Sequence, residues 1–114
     1  MDREYTVLMD GAGGDHNLVA ELIIIFRNQY PDLITRMDTA IDNRQADELR
    51  LAAHTLKGML AHFGPGTTLY LTKTIENLAV LAEFAEAGLI LQKLIPRLKR
   101  LDEQMASWQE ASLK

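Results

Sequence analysis

Apolar residues recur at spacings of three, four and seven along most of this chain, and this period constrains the fold more than any other feature. A helix with one buried face repeats every ~3.6 residues, so the spacing predicts amphipathic helices. Most of the seven glycines and three prolines lie between these segments, where they interrupt helices. No segment alternates strictly between apolar and polar residues, so a sheet has no evident source.

The first half of the chain contains two predicted helices. The first begins after Asp15, which is suited to be its N-cap, and Pro31 should kink it or split it in two. Its apolar face consists of Leu18, Leu22, Phe26, Leu33, Met37 and Ile41. The second runs from about Ala46 to Phe63, and its narrower apolar stripe consists of Leu49, Ala53, Leu56, Leu60 and Phe63.

The second half of the chain contains two more predicted helices. The third helix is predicted from about Thr67 to Ala87, with Gly88 as its C-terminal cap, and its apolar face consists of Leu71, Ile75, Leu78, Ala82 and Ala85. The fourth begins at about Leu89 and is expected to bend at Pro96. Its apolar face consists of Leu91, Leu94, Leu98, Leu101, Met105 and Trp108.

Four amphipathic helices with short connections predict an all-α fold, an antiparallel four-helix bundle. A short additional N-terminal helix is expected around Glu4 to Met9. A chain of 114 residues is long enough for one buried core but too short for two, so we expect a single domain over residues 1–114.

Composition excludes several classes of function. The net charge of −4 opposes binding to nucleic acid, which is not expected as a partner. The absence of cysteine excludes a disulfide scaffold, a thiolate metal site and a cysteine nucleophile, and it fits a cytoplasmic location. The longest apolar stretch, Leu22 to Phe26, is far shorter than the ~20 residues that span a bilayer, so membrane insertion is not expected.

The three histidines do not form a metal motif. A carboxylate-bridged di-iron bundle needs Glu three residues before His. The residues three before His16, His54 and His62 are Gly13, Leu51 and Met59. The glycine cluster at residues 11–14 has no third glycine in register, and the chain has no Gly-Lys-Ser/Thr phosphate loop. We therefore expect no metal and no cofactor bound by this chain.

His54 is the candidate reactive residue. At 100° per residue it lies roughly 140° from the centre of the buried stripe of the second helix, which is a solvent-facing position. Arg50, Lys57 and Gly58 lie three or four residues away on the same surface. Glycine inside a helix costs ~1 kcal/mol relative to alanine, so Gly58 indicates a need for space beside the ring.

This patch allows two interpretations. A neutral imidazole can attack an electrophile through a ring nitrogen, and Lys57 and Arg50 can pair with the oxygens of a phosphoryl group. Alternatively, an exposed helical histidine meets a lysine and an arginine by chance. The spacing alone does not distinguish them.

The string Ala-Ala-His-Thr-Leu-Lys-Gly at residues 52–58 resembles the phosphorylation motif of the histidine-containing phosphotransfer (HPt) domains of bacterial two-component phosphorelays. The resemblance covers roughly residues 5 to 105. Further matching positions are Ala12-Gly13-Gly14-Asp15, Pro31-Asp32-Leu33, Ala46 to Leu49, Phe63-Gly64 and Ile75-Glu76.

The resemblance implies a role for each residue of the motif. His54 would be the phosphoacceptor, with Nε2 facing solvent, Lys57 would stabilise the phosphoryl group, and Gly58 would leave clearance for the partner. Glu76 would bind the other ring nitrogen and orient the imidazole. Arg50 is a further candidate contact for the phosphoryl group, whereas His16 and His62 are interpreted as bystanders.

The resemblance also implies partners. The chain would take its phosphoryl group from the receiver domain of a hybrid sensor histidine kinase and pass it to a response regulator, with Mg²⁺ supplied by the receiver. Met59 and the apolar positions of Leu22 to Phe26 would help docking. A monomer without ATP-dependent activity of its own is expected. The alternative is a non-catalytic helical adaptor that docks a receiver or kinase, and a metal-binding bundle ranks third.

Overall fold

A computed structural model describes residues 8–63 and 66–112, and this part of the chain is helical, without a strand. The main helices are α1 (His16–Asp42), α2 (Ala46–Leu60), α3 (Thr67–Val80) and α4 (Phe84–Ser112). A short 3₁₀ helix, Ala61–Phe63, continues α2. Residues 8–11 are also helical; the rest of the predicted N-terminal helix lies outside the described residues. The prediction of an all-α fold is confirmed.

Each of the four helices packs against two others. Helix α2 contacts α1 and α3, while α4 contacts α3 and α1, and the buried apolar faces meet in one core. The helices differ in length: α1 and α4 have 27 and 29 residues, whereas α2 and α3 have 15 and 14. A helix rises about 1.5 Å per residue, so the long pair extends well beyond the short pair.

The buried faces of α2 and α4 are confirmed, because every residue predicted for these two stripes is buried. The face of α1 differs at its N-terminal end. Leu18 is exposed, and the buried positions are Val19 and Ile23. These two residues precede the buried Phe26 at spacings of three and four, so they lie on the same face of the helix. Since α1 remains one helix, its central core residues set the buried face along its whole length.

Pro31 does not split α1, which runs uninterrupted from His16 to Asp42. The prediction of Asp15 as the N-cap is confirmed, because its carboxylate accepts from the backbone N–H of Asn17 at 2.9 Å and of Leu18 at 3.2 Å. Helix α4 likewise continues through Pro96. None of the helices in the described ranges is long and apolar enough to cross a membrane.

The predicted boundary between the third and fourth helices is wrong. Helix α3 ends at Val80 and α4 already begins at Phe84, so Gly88 lies inside α4 and caps nothing. Ala82 and Ala85, which were predicted to be core residues, are exposed. The turn between the helices contains neither glycine nor proline, so the local sequence carries no stop signal.

A left-handed residue makes this turn instead. Ala82 has φ of 55°, its N–H donates to the carbonyl of Ala79 at 3.0 Å, and the N–H of Glu83 donates to the carbonyl of Leu78 at 2.9 Å. These two bonds define a Schellman motif, which normally has glycine at the left-handed position. Packing of the two helices therefore holds an alanine in a conformation that alanine disfavours.

The turn between α1 and α2 uses the same motif with Arg44, at φ of 53°. The N–H of Gln45 donates to the carbonyl of Ala40 at 2.8 Å, which closes the helix end. The guanidinium of Arg44 lies over the ring of Phe84, 5.6 Å from its centroid. This cation–π contact links the α1–α2 turn to the start of α4.

Candidate functional site

His54 lies in the middle of α2 with 59% of its side chain exposed. The two preceding residues, Ala52 and Ala53, are completely buried and small, so α2 packs closely and the next position points outward. The imidazole is thus held on a well-packed helix and remains accessible to a large molecule.

Glu76 of α3 joins the two functional candidates of α2. Its Oε2 lies 2.6 Å from Nδ1 of His54, and its Oε1 accepts a hydrogen bond from Nζ of Lys57, also at 2.6 Å. The Glu76 side chain is mostly buried, with 16% exposed, and that of Lys57 is 27% exposed. One carboxylate therefore fixes an imidazole and an ammonium group on the neighbouring helix.

The protonation state of Glu76 determines the histidine tautomer. Burial raises the pKa of Glu76, but the hydrogen bonds from Lys57 and His54 outweigh burial and hold the pKa below its ordinary value. Near neutral pH the group is therefore a carboxylate, which can only accept hydrogen bonds. In the neutral imidazole of His54, Nδ1 therefore carries the proton and donates it, which leaves the lone pair on Nε2.

Gly58 lies on the exposed side of α2, one turn beyond His54. A Cβ added there would meet no other atom of residues 8–63 and 66–112 within 4 Å, so nothing in that part of the protein requires glycine at this position. Arg50 is also exposed, and in the described part of the chain its side chain makes no hydrogen bond or ion pair. His54, Lys57 and Glu76 are thus brought together, while Arg50 stands apart from their hydrogen bonds.

The remaining histidines lie away from this group. His16 begins α1 and His62 lies in the 3₁₀ helix, and both are exposed. Across residues 8–63 and 66–112, no group of three or more His, Cys, Asp or Glu side chains could hold a metal ion.

The apolar residues expected to help docking are only partly available. Met59 is partly buried against the core, and so is Leu22. Ile24 and Ile25 are exposed, at 49% and 44%. The structure adds Leu51, which is 45% exposed and lies one turn before His54 on α2.

The pairing of Lys57 with Glu76 was not foreseen from the sequence. The two residues are 19 positions apart on different helices, and their contact depends on how far α3 is shifted along α2. The spacing of residues within each helix does not show how the two helices are aligned with each other. The available signal was only that each residue lies beside its helix's buried stripe, where oppositely charged side chains of neighbouring helices can meet.

A family model described as the Hpt domain matches residues 21–110, which is most of the chain. No curated protein and no solved structure matches the chain significantly. The match covers α2 and α3 completely and therefore includes His54, Lys57 and Glu76. The chain belongs to the family of Hpt domains, which carry out histidine phosphotransfer in phosphorelays.

Proposed function

We propose that the chain is a phosphocarrier in which Nε2 of His54 accepts a phosphoryl group from an aspartyl phosphate of a receiver domain. The group then passes to an aspartate of a response regulator. The observation that carries this proposal is the exposed imidazole whose Nδ1 is engaged by Glu76 at 2.6 Å, which leaves Nε2 as the nucleophile.

The transfer step balances without a further reagent. The lone pair of Nε2 attacks phosphorus, an N–P bond forms, and the bond from phosphorus to the aspartate oxygen breaks, which releases the carboxylate. His54 keeps its proton on Nδ1, so the phosphorylated ring carries a positive charge. The Glu76 carboxylate, already in hydrogen-bond contact, stabilises that charge without moving. Transfer to the next aspartate is the same step in reverse.

Lys57 supplies the positive charge for the phosphoryl oxygens. Its ammonium group is held by Glu76, which also holds the imidazole, so cation and nucleophile are positioned together. The lysine has three donors and uses one on Glu76, so it can contact an incoming oxygen without releasing the carboxylate. Arg50, one turn from His54 and without a hydrogen bond of its own in the described part, is a further candidate contact.

The architecture that presents the site is an antiparallel four-helix bundle. The helices are joined by short connections, and each packs against its neighbours in sequence while the first packs against the last. Short connections place successive helices antiparallel. In this arrangement α2 and α3 form a hairpin with His54 on its outer surface, and Gly58 leaves room there for the receiver.

Much of the remaining chemistry would come from the partner. Phosphoryl transfer needs charge neutralisation by Mg²⁺ and an acidic pocket to bind that ion. The carboxylate at this site, Glu76, is already engaged by Lys57 and His54. The receiver domain would therefore supply Mg²⁺, and the chain would act as a cytoplasmic monomer without ATP hydrolysis of its own.

The test is phosphoryl uptake measured by intact mass. The protein is incubated with Mg²⁺ and a panel of receiver domains of hybrid kinases and response regulators, each primed with a small-molecule phosphodonor. The wild type should gain one phosphoryl group that is labile in acid and stable in base. His54→Gln should gain none while keeping its helical circular dichroism, because the side chain lies outside the core.

The adaptor function would be indicated by a different result. If a receiver binds both proteins equally and neither gains mass, the chain docks without covalent chemistry. If His54→Gln still gains a phosphoryl group, the phosphoacceptor is another residue and the proposal fails.

A further inference from the structure

A cleft of about 320 Å³ lies where the end of α2 and the start of α3 meet the middle of α4. Its apolar lining includes Leu60, Phe63 and Leu101, all of which are buried side chains of the core. The volume is at the lower end of the range of protein pockets that bind small molecules. The cleft therefore offers an apolar floor to a ligand of modest size.

Two arginines of α4, Arg97 and Arg100, lie on the wall of this cleft. They are three residues apart and share one face of the helix, so their positive charges are close together. Among the described residues, none that lines the cleft is acidic, and neither arginine forms an ion pair. Thr67 and Thr68 of α3 contribute hydroxyl groups to the same lining.

The cleft is separate from the His54 site. It lies where the end of α2 and the start of α3 meet α4, whereas His54 is in the middle of α2 and meets Glu76 of α3 there. Thr67 is nine residues before Glu76 on α3, which corresponds to about 13 Å along the helix. No residue of the phosphotransfer site lines the cleft.

We propose that this cleft binds a phosphate monoester, with its phosphate group on Arg97 and Arg100 and its apolar group on the floor. Two guanidinium groups match a dianion in charge, and their planar donors suit bidentate contacts to phosphate oxygens. A single carboxylate would neutralise only one of the two charges. The apolar floor removes the hydrocarbon part of the ligand from water, which inorganic phosphate cannot exploit.

Phenyl phosphate is the probe for a nuclear magnetic resonance titration of the ¹⁵N-labelled protein at pH 7.5, where the monoester is a dianion. Saturable shifts are expected for the backbone amides of residues 66–69 and 97–104. Inorganic phosphate should bind roughly 10-fold more weakly because it has no apolar group. Arg97→Gln/Arg100→Gln should weaken binding of phenyl phosphate by at least about 10-fold.

The matched control is Lys73→Gln/Lys99→Gln, which removes two positive charges from exposed positions of α3 and α4 outside the cleft. It should bind phenyl phosphate like the wild type. His54→Gln should also bind phenyl phosphate like the wild type. The experiment therefore tests this inference independently of the proposed phosphocarrier function.

Three results would overturn the proposal: no saturable shift, shifts centred on His54, or equal binding by Arg97→Gln/Arg100→Gln. If circular dichroism shows that this double variant is unfolded, the single variants Arg97→Gln and Arg100→Gln replace it. Each should then weaken binding, and wild-type affinity in both would reject the cleft as a phosphate site.

Discussion

Nδ1 of His54 and Oε2 of Glu76 lie 2.6 Å apart across the α2–α3 interface, which assigns the proton to the nitrogen that faces the carboxylate. The same carboxylate holds Lys57 through its other oxygen. The orientation of an exposed side chain is thus fixed by a residue that is itself mostly buried.

Glu76→Gln should slow phosphoryl uptake by roughly 10- to 100-fold, because the neutral amide cannot stabilise the positive charge of the phosphorylated ring and has only one acceptor oxygen for two donors. The rate is measured by quenched-flow transfer from a phosphorylated receiver. Glu76→Ala should be slower still. Receiver affinity, measured separately with unphosphorylated receiver, should change little, and a loss confined to affinity would contradict an orienting role.

Glu76 should also make stability depend on acid. Its pKa is held below the ordinary 4.5, so its contribution to folding is present above about pH 4.5 and is lost as the pH falls through the lower value of the folded state. The wild type should therefore lose stability below pH 4.5 more steeply than Glu76→Gln, which has no group to protonate. Urea unfolding at several pH values measures the free energy of unfolding of both proteins. The same dependence on pH in both would contradict a contribution from Glu76.

Gly58→Ala should raise stability while it impairs transfer. A Cβ at this position meets no described residue within 4 Å, so the fold gains about 1 kcal/mol of helix propensity. The added methyl group lies on the surface beside His54 and should hinder the receiver. Thermal unfolding and transfer rate are measured on the same preparation.

Gly88→Ala is the matched control for Gly58→Ala. Its Cβ would meet Cγ2 of Ile41 at 3.8 Å, which is an ordinary contact, and it lies on α4 away from the site. This variant should be stabilised to a similar extent and transfer phosphate normally. Equal transfer by both alanine variants would remove the argument for clearance at Gly58.

Ala82→Gly should stabilise the protein by about 1 kcal/mol, because glycine adopts a φ of 55° without the steric penalty that alanine has there. A gain of that size corresponds to a rise in Tm of about 4 °C in a domain of this length. Ala85→Gly, an exposed position inside α4, should be destabilising instead. Thermal unfolding measures the two changes in Tm, which should have opposite signs.

Tyr30 should resist ionisation at high pH. Its burial and its hydrogen bond to Asp102, at 2.9 Å, raise its pKa to about 12. Because the folded state favours the protonated phenol, this contribution to stability is complete below pH 10 and is lost as the pH rises towards 12. Absorbance titration at 295 nm should show no difference between the wild type and Tyr30→Phe until above about pH 11, and an earlier difference would contradict the buried phenol.

The helical period of the apolar residues correctly predicted the buried positions in helices that have a single apolar face. The apolar stripes of α2 and α4 are examples. A rotation of either helix by one residue would expose Leu56 or Leu98, both of which are completely buried. The turn at Ala82 could not be predicted, because its left-handed residue is imposed by the packing of α3 on α4 and has no glycine to mark it. The exposed position of His54 was predicted from its angle on α2, whereas the contact of Lys57 with Glu76 depends on the register of two helices.

Two side-chain contacts between helices differ more than threefold in how far apart their residues are in the sequence. His54 and Glu76 are 22 residues apart, whereas Arg27 and Asp102, whose side chains join α1 to α4 at 2.6 Å, are 75 apart. Closing the shorter loop costs less chain entropy and occurs sooner in folding. His54 and Glu76 can therefore meet once α2 and α3 have packed together, before α1 packs against α4.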